Sequence, residues 1–160
     1  MENTPKQLLE KVEELFKQEN REDIRKLLSD TVLEQYNNAE LYAWRARVYD
    51  DGMPDECFPY AEKAIAINPG YWMAYFAMGR AWFDKKQYDK AIQDYNKAIE
   101  LNPEYDIAYN NRGNAWCEKK EYDKGLDDYN KAIELNPKYD LAYNNRGNMW
   151  YEKKEYDKAI

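Results

Sequence analysis

An all-α solenoid of antiparallel helix pairs is the fold class this sequence predicts, on three observations. The block Tyr75-Phe76-Ala77-Met78-Gly79-Arg80-Ala81-Trp82 returns as Tyr109-Asn110-Asn111-Arg112-Gly113-Asn114-Ala115-Trp116 and again as Tyr143-Asn144-Asn145-Arg146-Gly147-Asn148-Met149-Trp150, each 34 residues after the last. The same step carries Tyr88 to Tyr122 to Tyr156 and Pro69 to Pro103 to Pro137, and a period of this size marks stacked supersecondary units. Within each period the apolar residues fall in two stripes at helical spacing, separated by a short polar turn.

Taken in order, Thr4-Pro5-Lys6-Gln7 is a helix start: Thr4 caps, Pro5 suits the first helical position and Gln7 completes a capping box. Leu8, Leu9, Val12, Leu15 and Phe16 then form one apolar stripe to about Gln18, and Glu19 to Arg21 is the break. A single second helix is expected, with Asp23 in its first turn and Ile24, Leu27, Leu28, Val32 and Tyr36 on one face, ending near Asn37-Asn38. Leu41, Trp44 and Val48 make the inward stripe of the next helix, where Arg45 stands at the position of the later glycines. Asp50-Asp51-Gly52-Met53-Pro54 is a turn, and a helix capped by Asp55 is expected to run to Ile67, with Pro59 near its first turn.

From Trp72 the pattern is regular. Tyr75, Met78, Gly79 and Trp82 share one face, Lys85-Lys86-Gln87 turns the chain, and Ala91, Ile92, Tyr95, Ala98 and Ile99 supply the facing stripe. Asp106 and Asp140 are expected to cap the following leading helices. A glycine inside a helix costs about 1 kcal/mol against alanine, so Gly79, Gly113 and Gly147 are expected where two helices approach closely.

Composition narrows the function classes. At 44% hydrophobic and 16% aromatic residues the chain is too apolar for disorder. Its net charge of −7, with lysines and arginines scattered in ones and twos among acids, offers no basic face for nucleic acid. No apolar run reaches the ~20 residues that span a bilayer, so no membrane contact and a cytoplasmic location are expected. Cys57 and Cys117 stand far apart without a CxxC motif, and there is no histidine, so neither a metal site nor a disulfide framework is indicated. No nucleotide or hydrolase motif occurs and the acids recur with the period, so no enzyme and no cofactor are expected.

The residues at set offsets, Tyr75, Met78, Gly79, Trp82, Ala91, Tyr95, Ala98 and Pro103, resemble the signature of tetratricopeptide repeats, of the 34-residue bacterial type. The second full unit departs from it at Arg112 and Gly125, and the third at Arg146; an arginine there is expected to pair with Asp94 or Asp128. The resemblance implies a right-handed superhelix divided into an N-terminal hairpin at 1–37, a degenerate repeat at 38–71, full repeats at 72–105 and 106–139, and a truncated repeat at 140–160. The last unit stops at Lys158-Ala159-Ile160, just inside its second helix, so the natural protein is expected to continue. Its open end is expected to dock against another molecule, a second copy of the chain included.

In the resembled family the outer side of each leading helix lines a concave groove. That implies a ladder of Asn110, Asn111, Asn114, Asn144, Asn145 and Asn148, whose amides both donate to and accept from a peptide unit. The alternative is a merely solvated helix face. Tyr42, Tyr49, Met73, Phe76 and Phe83, with Arg80, line the same side in the earlier units, either as pockets for ligand side chains or beneath the N-terminal hairpin. Asp50, Asp84, Glu118 and Glu152 recur at one position and suggest a ligand with a basic segment. The family's clamp on a C-terminal carboxylate is matched at Asn114 and Asn145 but not at Asn110, where it has lysine. The expected function is a non-enzymatic adaptor that holds an extended protein or peptide segment; the alternatives are a self-assembling spacer and a regulatory segment of a larger enzyme.

Overall fold

The computed structural model describes residues 4–49 and 52–153, so Asp50, Tyr156 and the Lys158-Ala159-Ile160 helix start lie outside the described residues. The described residues form ten helices and no strand. The first, α1 (Pro5–Lys17), opens with the expected capping box: Gln7 N donates to Thr4 Oγ1 at 3.3 Å and Thr4 N donates to Gln7 Oε1 at 2.8 Å.

The single helix expected after it is two, α2 (Arg21–Leu27) and α3 (Asp30–Tyr36). Leu28 leaves helical geometry and Ser29, extended at ψ 159, takes the cap position of α3. The break turns the chain so that Leu28 and Leu33, which one straight helix would aim differently, are both buried. Next comes α4 (Ala39–Val48), capped by Asn38, whose Oδ1 accepts from Glu40 N at 2.9 Å and Leu41 N at 3.1 Å. It is buried nearly all round rather than on one stripe, because α1 and α2 pack on it as well as α5 and α6. Then α5 (Pro54–Ile67) begins one residue before the expected cap, with Met53 at the N-cap and Pro54 at the first position, and it continues through Pro59.

Three leading helices with two trailing partners complete the stack: α6 (Trp72–Asp84), α7 (Tyr88–Leu101), α8 (Asp106–Glu118), α9 (Tyr122–Leu135) and α10 (Asp140–Glu152). Asp106 and Asp140 sit at the first helical position, not at the cap, which Tyr105 and Tyr139 occupy. There the Asp106 carboxylate faces the positive helix end and accepts from Asn136 Nδ2 at 2.7 Å. The close approaches expected at Gly79 and Gly113 are present. A Cβ on Gly79 would lie 2.6 Å from the Tyr95 ring, and one on Gly113 2.7 Å from Tyr129. In the first unit the sizes are exchanged: Arg45 replaces the glycine and Ala61 the tyrosine. The Arg45 guanidinium lies over the rings of Tyr49 and Tyr60, at 5.1 and 5.2 Å.

The turns repeat as faithfully as the helices. Gly52, Lys86 and Lys120 share one position and all are left-handed, at φ 79, 57 and 63. Beside them Lys85, Lys119 and Lys153 reach back to Asp55, Asp89 and Asp123 of the preceding unit, an exposed clasp at each junction from the 38–71 unit onward. Helices touch mainly their neighbours in sequence, which is how a solenoid is held together. Among the described residues no helix is long and apolar enough to cross a membrane.

Candidate functional site

The period that builds the stack also places the site. In each leading helix, positions three and four residues apart share a face, and stacking sets the corresponding faces of α6 and α8 side by side. Between them opens a cleft of about 330 Å³ lined by Arg80, Phe83 and Asp84 of α6, Ile107, Asn111 and Asn114 of α8, Tyr95 from behind, and Tyr139 and Leu141 at the start of α10. Four of the expected residues, Arg80, Phe83, Asn111 and Asn114, therefore meet in one place.

Asn145 completes the polar wall from α10. Its Nδ2 donates to Asn110 Oδ1 at 2.9 Å and to Asn114 Oδ1 at 3.2 Å, while the Tyr129 hydroxyl donates to the same Asn114 oxygen at 2.8 Å. The Cys117 thiol lies 3.3 Å from that hydroxyl, and burial pushes the titrations of both Cys117 and Tyr129 upward. With the Asn114 oxygen taken by two donors, the amide keeps its N–H groups. Among the described residues neither Asn111 Nδ2 nor Asn114 Nδ2 donates a hydrogen bond, and both residues line the cleft. The cleft therefore presents donors from Asn111 and Asn114 and the positive charge of Arg80, beside the apolar surfaces of Phe83, Ile107 and Leu141. Burial also raises the Tyr139 hydroxyl to about 12, so it remains protonated near neutral pH.

Seven expected residues do not belong to this cleft. Asn110 is 0% exposed, sealed between α8 and α10 with its oxygen bonded to Asn145. Phe76, 1% exposed, packs against Tyr95 and Tyr105 at 6.0 and 5.0 Å between ring centres, and Met73 lies in the core with Leu41 and Trp44. Tyr49 is stacked on Tyr60 at 5.7 Å, beneath the guanidiniums of Arg25 and Arg45. Tyr42 is 7% exposed and faces α3. For the tyrosines the alternative of cover by the N-terminal helices is the one that the packing realises. Asn144 and Asn148 are exposed on α10, outside the cleft lining.

The acid row also has a structural use. Asp84 accepts from the Gly52 backbone N–H at 3.2 Å and Glu118 from the Tyr88 hydroxyl at 3.0 Å, each tying its unit to the one before. The arginine pairing resolves toward Asp128: Arg112 Nε donates to Asp128 Oδ2 at 2.8 Å, Nη2 to Oδ1, and Nη1 to Asn96 at 2.7 Å. Sequence reasoning missed Ile107, Leu141 and Tyr139. The signal was present, since Ile107 and Leu141 stand one and two periods after Met73, and Tyr139 two periods after Tyr71.

Two family models match, one described as TPR repeat over residues 79–116 and one as tetratricopeptide repeat over 107–139. The chain is similar to Hsp70-Hsp90 organizing protein 1 of Glycine max, at 35% identity over 87 residues, and covers 15% of that protein's length with 54% of its own. Among solved structures it resembles MamA, at TM-score 0.76 and 25% identity, covering 92% of this chain and 87% of that one. It also resembles the first TPR of Spaghetti (RPAP3), solved bound to HSP90 peptide SRMEEVD, at TM-score 0.68 and 25% identity over 72% of this chain and 93% of that one. On the repeat, the stacking and these matches, the chain belongs to the tetratricopeptide repeat family.

Proposed function

We propose that this chain is a non-enzymatic adaptor that holds an extended peptide segment of another protein in the cleft between α6 and α8. The observation that carries the reading is the pair of amide groups at Asn111 and Asn114, whose N–H groups line the cleft with no acceptor among the described residues. An extended ligand offers a carbonyl oxygen on each peptide unit and satisfies such donors without regard to its side chains. Phe83, Ile107 and Leu141 then bury an apolar side chain, and Arg80 takes a negative group. The peptide in the RPAP3 structure supports the mode of binding in a related fold. The reading places the adaptor in the cytoplasm.

The test is isothermal titration with a peptide from a partner captured on the intact chain. Asn111→Ala with Asn114→Ala is expected to weaken binding about tenfold or more, and Asn144→Ala, outside the cleft, to leave it unchanged. An unaltered affinity in the double variant would remove the reading.

A further inference from the structure

A second hollow lies away from the cleft, between α3, α4 and α5. It measures about 370 Å³ and is lined by Asp30, Leu33 and Glu34 of α3, Tyr42 of α4, and Pro59, Tyr60 and Lys63 of α5. Tyr42 lines it, and its hydroxyl, which is open to the hollow, makes no hydrogen bond among the described residues. A phenol ordinarily finds a partner. The neighbouring Tyr60 has one, donating to Asp30 Oδ1 at 2.8 Å, with the Arg45 guanidinium over its ring.

From this geometry we propose that the hollow is a binding site for a protonated amine or guanidinium, carried by a lysine or arginine of a basic segment in a partner protein. The Asp30 and Glu34 carboxylates stand one helical turn apart on the same wall and supply the charge. The Tyr42 oxygen accepts an N–H, and Pro59 with the edge of Tyr60 covers the methylene stem. An anion would meet two carboxylates, and a purely apolar guest would strip water from them and from the phenol without replacing its hydrogen bonds. Lys63 is the opposing charge in the lining. It is exposed on a flexible stem and withdraws to water, holding the guest's charged end on the Glu34 side. Burial, with the charges of Glu34 and Asp30 adding to it, raises the Tyr42 titration and keeps the phenol neutral. The chain's net charge of −7 favours a basic partner.

The site shares no lining residue with the cleft, so it stands or falls separately from the adaptor reading. The experiment follows backbone amide NMR shifts of the intact chain during titration with the methylamides of N-acetyl-lysine, N-acetyl-arginine and N-acetyl-norleucine, and with spermidine. The two cationic amino-acid probes are expected to give saturable shifts at Leu33, Tyr42 and Tyr60 in the millimolar range, and norleucine none. Glu34→Gln and Tyr42→Phe, which keep the exposed stem and the buried ring, are expected to weaken them about fivefold to tenfold each. Equal shifts with norleucine, or unchanged affinity in Glu34→Gln, would overturn the site. Saturation by spermidine without a response to the amino-acid probes would overturn the partner-borne source.

Discussion

The pairs α6–α7 and α8–α9 follow the same period and fill it with different chemistry. Each seats a buried tyrosine of the trailing helix on a glycine of the leading one, Tyr95 on Gly79 and Tyr129 on Gly113. Beside that contact they diverge. In α8–α9, Arg112 grips Asp128 through two nitrogens. In α6–α7 the arginine position holds Met78, so Asp94 has the Trp82 side chain for a hydrogen bond but no arginine in this place, and burial raises it to about 6. The faces turned to the cleft differ too: α6 brings Arg80 and Phe83, and α8 brings Asn111 and Asn114. The close approach is therefore what the repeat conserves between its two regular units, while the polar partners are a local choice. The first unit, with Arg45 and Ala61 exchanging large for small, shows that even the approach can be built the other way round.

The strongest test of that comparison removes the shared contact. Tyr95→Ala and Tyr129→Ala are each expected to cost about 3–5 kcal/mol in urea unfolding, and a loss confined to one of them would show that the units are not held alike. Next come the carboxylates. Asp128→Ala strands a half-buried guanidinium and is expected to cost about 3 kcal/mol. Asp94→Asn is expected to do the opposite near pH 7, gaining about 1 kcal/mol once partial exposure is allowed for.

The pH dependence gives that gain its sign. The folded-state value of Asp94 is raised from 3.8 to about 6, so the folded chain binds this proton more tightly than the unfolded chain. The penalty of the charged form is full above about 6 and fades as pH falls toward 3.8. Unfolding curves should therefore show the lead of Asp94→Asn shrinking over that interval, and a constant lead would contradict the assignment. The smallest effect is at the turns, where Lys86→Gly and Lys120→Gly relieve left-handed backbone. Each should stabilise by about 0.5 kcal/mol, where the same position in the first turn already holds Gly52.

Where the period is intact, helices, turns and the glycine contacts could be read from the residues, because each unit states them again. The α2–α3 break could not: the helical stripe read from the residues holds Leu28 and leaves out Leu33, and only the packed core takes both inward. Asn110 misled for a different reason. An amide suggests water, yet its position is held by Phe76 and Tyr42 in the preceding units, and that apolar company was the better guide to its burial. The bond from Asn145 that makes the burial tolerable spans two units and leaves no trace in local pattern. Conversely, Ile107 and Leu141 belong to none of the stripes read from the residues, and only stacking brings them with α6, α8 and α10 around one opening.

The lysine clasps of Lys85, Lys119 and Lys153 bind each unit only to its predecessor. Under tension such a chain would not rupture at once; it would peel from its ends, one hairpin at a time, with small steps of similar height. Because the clasp acids lie in water, dissolved salt would loosen every joint together, making the rod more pliant while leaving its buried layers alone.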